Sequence, residues 1–297
     1  MQHHSIGIDL GGTKTEIVVL SPSAEVLLRK RVPTPKSSGY EAICTAICEL
    51  VNEGQSVAGG NATVGIGIPG FMDHNTGKVV NANTTVLIGK PLKSDLEVGL
   101  TMPVRIENDA NCFVLAEVQD GAAKGISNVF GVIMGTGCGG GLVCNGKIYH
   151  GRHGIAGEWG HFSIDPNGQT CWCGNKGCIE TMISGTAIEQ HYFRRTGVNM
   201  KAPEIIAKAR QKSNDAVVVF DQFIDDFGRA LGGLISVFDP DMVVIGGGLS
   251  HIDELYSDGV AKIKNYVFHS NITTPVVRNQ LGDSAGVFGA ARLWSYE

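Results

Sequence analysis

The chain has no stretch approaching the roughly 18 consecutive apolar residues of a membrane span. It also lacks an excess of positive charge. Its 24 Lys and Arg against 29 Asp and Glu leave a net charge of −5, which excludes the basic footprint that nucleic acid or an anionic membrane surface requires. No block of five like charges and no low-complexity linker marks off a tail or a spacer in the 297 residues. The opening residues, Met1-Gln-His-His-Ser5, show neither the basic nor the apolar region of a secretory leader. The expected location is therefore the cytoplasm. There, eight cysteines in a chain long enough to build its own core point to metal binding or packing rather than to disulfides.

What the sequence does hold is glycine, 41 of them in clusters, and one dense group of metal-ligating residues. Cys171, Cys173 and Cys178 follow His161 at a spacing that supplies three thiolates and one imidazole, the donor set of a closed tetrahedral zinc site. Gly174 and Gly177 fit that reading, because a chain doubling back around one ion needs positive φ or very close backbone approach. Glu158 and Glu180 flank the ligands without being needed by the metal, so they are expected to accept hydrogen bonds from a polar ligand. Zinc on one imidazole nitrogen fixes the tautomer of the other and can aim it at the same ligand. The alternative is a zinc loop that only staples an irregular segment. The remaining cysteines show no ligand spacing, and Cys44 and Cys48, one helical turn apart, read as small core residues.

Ser5-Ile-Gly-Ile-Asp-Leu10 reads as a buried strand, Gly11-Gly-Thr-Lys-Thr15 as a tight turn and Glu16 to Leu20 as the partner strand. Such a turn presents amides and hydroxyls to an anion, and Asp9 at the strand end can hold magnesium through water. Tyr40 to about Glu53 carries helical periodicity. Thr63 to Ile68 is a third strand, ending in a Pro69-Gly70 turn, and Asn81-Ala-Asn-Thr-Thr85 offers groups that bind a polyol. Val104 to Asn108 then runs into a helix with Asp109 at the junction, either as the N-cap or as a catalytic base. Asn128 to Met134, a glycine turn over 135–141 and Leu142 to Cys144 repeat the opening strand–turn–strand pattern, suggesting two related α/β halves. Helices are expected over 202–210 and 216–237, then a strand leading to Gly246-Gly-Gly248, a floor for a flat ring. A small-residue helix follows over 282–292.

Taken together, Asp9-Leu-Gly-Gly-Thr-Lys14, Gly67-Ile-Pro-Gly70, Glu107-Asn-Asp109-Ala-Asn111, Gly135-Thr-Gly137, Gly157-Glu-Trp-Gly-His161, the cysteine run through Glu180 and Gly246-Gly-Gly248 resemble the ROK family of sugar kinases. The resemblance runs from about residue 5 to 292. It implies an α/β, two-domain, actin-like and ribonuclease-H-like fold with an interdomain cleft and a zinc loop. Domains are expected over 1–118, with a helix over about 284–297 returning to it, and over 119–283.

The resemblance also implies an ATP-dependent hexose kinase with Asp109 as general base. Gly70, Asn83, Asn108, Asp109, Glu158, His161 and Glu180 would bind the sugar. Asp9, Gly11, Gly12, Thr13, Lys14, Thr15, Gly135, Thr136, Gly137, Gly246, Gly247 and Gly248 would bind ATP with magnesium. Zinc is expected on His161, Cys171, Cys173 and Cys178, and a homodimer is implied. Among hexoses the 81–85 segment, together with Gly157-Glu-Trp-Gly-His161, looks most like the fructokinase and mannokinase branch, while Gly89-Lys-Pro-Leu92 and Asp109-Ala-Asn-Cys-Phe113 also resemble the family's N-acetylglucosamine kinases. Fructose, converted to its 6-phosphate, is therefore the expected substrate, with N-acetylglucosamine, glucose and mannose as alternatives. The family's repressors carry a DNA-binding module ahead of the first strand, for which a strand starting at Ser5 leaves no room. A non-catalytic sugar sensor is the alternative of another class.

Overall fold

The buried Val/Ile runs become strands in the computed structural model, which describes residues 3–73, 75–269 and 271–295. In chain order the strands are β1 (Ser5–Leu10), β2 (Lys14–Leu20), β3 (Val26–Pro33), β4 (Thr63–Ile68), the short β5 (Phe71–Met72) and β6 (Val79–Val80), β7 (Val104–Asn108), β8 (Val129–Met134), β9 (Cys138–Cys144), β10 (Lys147–Ile148), β11 (Met242–Gly246) and β12 (Val276–Arg278). The helices are α1 (Tyr40–Ala58), α2 (Leu92–Leu100), α3 (Asp109–Asp120), α4 (Glu180–Ile183), α5 (Gly185–Thr196), α6 (Ala202–Arg210), α7 (Asn214–Phe238), α8 (Asp258–Ile263) and α9 (Ala285–Arg292). Two mixed five-stranded sheets result, ordered β3-β2-β1-β4-β7 and β10-β9-β8-β11-β12.

Contacts group the chain into two units. One comprises the residues up to Ser127, Gly141–Ala156 and the chain from Leu281 onward; the other comprises Asn128–Gly140 and Gly157–Gln280. In the first, strand alternation splits the side chains between two covers. Ile6, Ile8 and Ile17 join Ile43, Ile47, Leu50 and Val51 of α1 in one core. On the other face α9 lies directly on the strands. A Cβ at Gly7 would stand 2.1 Å from the Val287 carbonyl oxygen, and one at Gly65 would stand 2.0 Å from that of Ala290. Glycine is required at both positions. The helix expected over 284–297 is α9; Tyr296 and Glu297 lie outside the described residues. In the second unit the 25-residue α7 buries Phe223 and Phe227 and packs against α5, α6 and α8.

Two sequence expectations change. The second glycine turn is only Gly135–Gly137, because Gly139, Gly140 and Gly141 continue as part of β9. There, a Cβ at Gly140 would meet the Phe130 and Trp159 rings at 2.8–2.9 Å and one at Gly141 would stand 2.4 Å from the Ala110 carbonyl oxygen, so these two glycines serve close packing rather than reversal. The second change is β3, an edge strand with charged residues in its middle and Pro33 at its end. It has no alternating pattern to reveal it.

Candidate active site

In the first unit β1, β4 and β7 run parallel, with Asp9 opposite Gly67, Gly67 opposite Glu107, and Ile68 opposite Asn108. Their C-terminal ends therefore form one edge, where open α/β sheets gather ligand groups. Asn108 Nδ2 donates to the Gly70 carbonyl at 3.1 Å, and Asn83 N donates to the Pro69 carbonyl at 3.0 Å. The structure thus brings Gly70, Asn83, Asn108 and Asp109 to one place. The cap question is also resolved: Asn108 Oδ1 accepts from Ala110 N (2.9 Å) and Asn111 N (3.2 Å), so Asn108 is the N-cap of α3. Asp109 is the first helical residue, its Oδ1 accepting from Ala110 N at 2.8 Å.

The Gly11 turn closes through Gly11 N to Lys14 O at 3.0 Å, leaving Thr13 and Lys14 exposed. Thr15 is a correction to the expected phosphate set. Its side chain is buried and its hydroxyl is paired at 2.9 Å with Thr34 Oγ1, which in turn donates to the Gly11 carbonyl at 2.8 Å, so the hydroxyl braces the turn from within. Within the 81–85 segment that the sequence offered as polyol-binding, Thr84 is 3% exposed; its hydroxyl has no partner among the described residues and lies 3.7 Å from where a Gly12 side chain would begin.

Burial raises the Asp9 carboxyl to about 6, with the Glu16 charge adding to the effect. A carboxylate desolvated this way attracts a cation, as a magnesium site requires. The same shift is a stability statement. The penalty is absent below the unfolded value near 3.8 and fully present above about 6. Replacing Asp9 by Asn should therefore stabilise the magnesium-free protein at pH 7.5 by at most about 3 kcal/mol, and the gain should shrink as pH falls toward 4.5. Urea unfolding at both pH values checks this; an equal gain at each would contradict it.

In the second unit β8 and β11 are parallel, Gly246 standing opposite Ile133, so the Gly135 turn and Gly246–Gly248 emerge at the same edge. Gly247 takes φ +79°, and a side chain there would collide with the Met134 backbone. Gly135 O and Thr136 O accept from Gly185 N (2.7 Å) and Thr186 N (3.3 Å), which seats the turn on the start of α5.

Glu180, at the head of α4, is not left free as expected. Its Oε2 accepts from Cys138 N at 3.0 Å and its Oε1 from Trp172 Nε1 at 2.8 Å. Each oxygen retains a second lone pair, so the carboxylate is aimed rather than consumed. A Cβ at Gly137 would stand 2.5 Å from that Oε2, which is why this turn is glycine. Trp172, 69% exposed, also meets the His161 ring edge-on at 4.8 Å and so brackets both residues. Its position between two cysteines was the only sequence signal for it. Desolvation raises the Glu158 carboxyl, opposed by His161 and reinforced to a lesser degree by Glu180.

His161, Cys171, Cys173 and Cys178 place their ligand atoms within 4.8 Å of one another. His161 Nδ1 lies 3.6 Å from Cys171 Sγ, and Cys173 Sγ lies 3.6 Å from Cys178 Sγ. Zinc–sulfur bonds of about 2.3 Å at tetrahedral angles set edges of about 3.8 Å, so the donor set fits that ion. Nδ1 faces the sulfurs and Nε2 is the nitrogen left over. Around the cluster Gly174 and Gly177 take φ +94° and +60°, and a side chain at Gly177 would overlap the Asp165 carbonyl. Ile164 N to Gly177 O (2.9 Å) and Gly177 N to Gln169 O (2.7 Å) tie the loop across.

Residues 5–297 match the ROK family. The chain belongs to that family. Among its ROK relatives, the N-acetyl-D-glucosamine kinase of Haemophilus influenzae is 39% identical over 97% of this chain and 98% of its own. That of Pectobacterium atrosepticum is also 39% identical, over 97% of each chain. The fold matches the ROK hexokinase of Thermus thermophilus with a TM-score of 0.86 and 31% identity, covering 97% of this chain and 96% of that one. A ROK glucokinase of Streptomyces griseus, solved with glucose and AMPPNP, matches at 0.79 and 31%, over 98% of both. Among the described residues no helix is long and apolar enough to cross a membrane.

Proposed function

We propose that this ROK protein is an ATP-dependent N-acetylglucosamine kinase, passing the γ-phosphoryl group of ATP to a hydroxyl of the sugar. The observation that carries the reading is the 39% identity to N-acetyl-D-glucosamine kinases across nearly the whole of both chains. It is supported by the strand-end grouping of Gly70, Asn83, Asn108 and Asp109. The expectation of fructose is corrected: it rested on Asn81–Thr85 and Gly157–His161, whereas the full-length relatives carry N-acetylglucosamine in their names.

In this reading Asp109 accepts the proton of the sugar hydroxyl as its oxygen attacks phosphorus. Asn108, anchored on Gly70, and Asn83, anchored on Pro69, hold sugar hydroxyls, as do Glu158, His161 and Glu180. The turns at Gly11 and Gly135, with Thr13, Lys14 and Thr136, donate to phosphate oxygens, and Gly246–Gly248 bounds the nucleoside. Asp9 is the residue that would hold magnesium, which would supply charge neutralisation. Phosphoryl transfer asks for little beyond such positioning and neutralisation. Zinc on His161 and the three cysteines holds the loop that presents His161 and Glu180, and the working form is a homodimer in the cytoplasm.

The test is coupled ADP release from MgATP across N-acetylglucosamine, glucose, fructose, mannose and N-acetylmannosamine. We expect N-acetylglucosamine to exceed fructose and mannose by at least about a hundredfold in kcat/KM, the size of discrimination that a few polar contacts provide. Glucose as the best substrate would reassign the sugar but not the class. Sugar binding without turnover on any of the five would favour a sensor.

A further inference from the structure

The proposed mechanism leaves a half-buried ionisable pair of the first unit unused. Glu107, one residue before the α3 cap, points Oε1 at Asn108 N (2.8 Å) and Asn111 Nδ2 (3.0 Å), and both donate to it. Its Oε2 meets His150 Nε2 at 2.5 Å. The Glu107 side chain is 10% exposed and that of His150 39%. The partners are themselves fixed. Asn111 Oδ1 accepts from Leu142 N at 3.3 Å, Tyr149 N donates to Leu142 O at 2.8 Å, and His150 O accepts from Ala156 N at 3.2 Å. His150 is thus mounted on the β9–β10 framework and reaches across to the end of β7.

Glu107 receives the backbone N–H of the residue that caps α3 and precedes Asp109. The carboxylate therefore holds the peptide that enters Asn108, the residue that caps α3 and leads into Asp109. A mostly buried carboxylate with no partner on Oε2 would turn toward solvent and release that N–H. His150 prevents this. The hydrogen bond to Glu107 raises the imidazole's proton affinity, against a smaller lowering by burial, and a protonated ring would strengthen the contact by charge.

We propose that His150 is a positioning residue for phosphoryl transfer: by donating from Nε2 to Glu107 it fixes the carboxylate that orients the Asn108–Asp109 junction. It acts on the reaction only through those residues, and the proposal rests on the reading of Asp109 as the base.

The test compares His150→Phe, which keeps a ring but no donor, with His150→Gln, whose amide nitrogen reaches about where Nε2 stands. The Phe variant should lose roughly 10–100-fold in kcat, the range for losing a hydrogen bond to a charged group, with a raised sugar KM and an unchanged ATP KM. A variant that is merely partly unfolded would lower kcat and leave both KM values alone. The Gln variant should stay within about threefold of wild type. If the Phe variant does not fold, His150→Asn, whose donor stops short of Glu107, replaces it.

A Phe variant within twofold of wild type overturns the proposal, as does a Gln variant as impaired as the Phe one. If the wild-type chain turns over no sugar, the kinase reading has failed and amide hydrogen exchange decides this one. Exchange at Asn108, Ala110 and Asn111 should then be about tenfold faster in the Phe variant and wild-type-like in the Gln variant. Equal rates in all three proteins overturn it.

Discussion

Asp109→Asn is expected to lower kcat by roughly 10²–10⁴-fold, the contribution of one positioned general base, while leaving sugar affinity and thermal stability close to wild type. The geometry makes this substitution a clean one. The N-cap of α3 is Asn108, so no cap is lost. The contact from Ala110 N to Asp109 Oδ1 survives, because an asparagine carbonyl accepts it equally well. What disappears is the basicity needed to take a proton from the attacking hydroxyl. Coupled ADP release gives kcat, titration calorimetry gives sugar affinity in the absence of ATP, and a thermal melt reports the fold. A variant with wild-type turnover would remove Asp109 from the mechanism; one that turns over slowly because it no longer binds sugar would make it a binding residue only.

The second large effect concerns zinc. Purified protein should carry one zinc per chain. Stripping it with a strong chelator, or replacing Cys178 by Ser, should abolish sugar binding and lower the melting temperature. Structural zinc sites in isolated peptides contribute on the order of 10–16 kcal/mol; here part of the loop is held independently by the backbone bonds joining Gly177 to Ile164 and Gln169. The global loss should therefore be smaller than in a zinc finger, and the local loss complete. The reason lies in Glu180, two residues beyond Cys178, and in Trp172, between two ligands, which together form the Trp172–Glu180 contact at 2.8 Å. Metal analysis, a melt and sugar titration check the expectation. A zinc-free preparation that binds sugar normally would defeat it.

Much of this was legible in the sequence because its signals were local. The Val/Ile runs of β1, β4, β8 and β11, the 3.6-residue period of α1 and the cysteine spacing each depend on neighbours a few positions away. What escaped depends on distant partners. Asn108 and Asp109 have equal capping chemistry, and only the backbone angle at the junction decides between them. Thr15 and Thr13 both look like phosphate donors; strand alternation turns one inward onto Thr34. Glu180 was rightly placed beside the metal cluster, but its two occupied oxygens depend on Cys138, 42 residues earlier, and on a tryptophan that reads as a spacer. His150 lies 43 residues from Glu107, a distance at which no periodicity speaks.

The seating of α9 on β1 and β4 has a consequence for how the protein is made. Gly7 and Gly65 present bare backbone that only the Val287 and Ala290 turns of α9 cover. A ribosome therefore releases the first sheet with one face uncovered, and the 176 residues between β7, which ends at Asn108, and α9, which starts at Ala285, must be added before the helix that closes it emerges. Such a long wait for a sequence-distant contact slows folding and leaves apolar surface open to misassembly. That face joins the two glycines to Val18 and Leu20 of β2, which pack on Val287 and Ala291 of α9, so the apolar area left open until then lies on β2 rather than on β1 and β4.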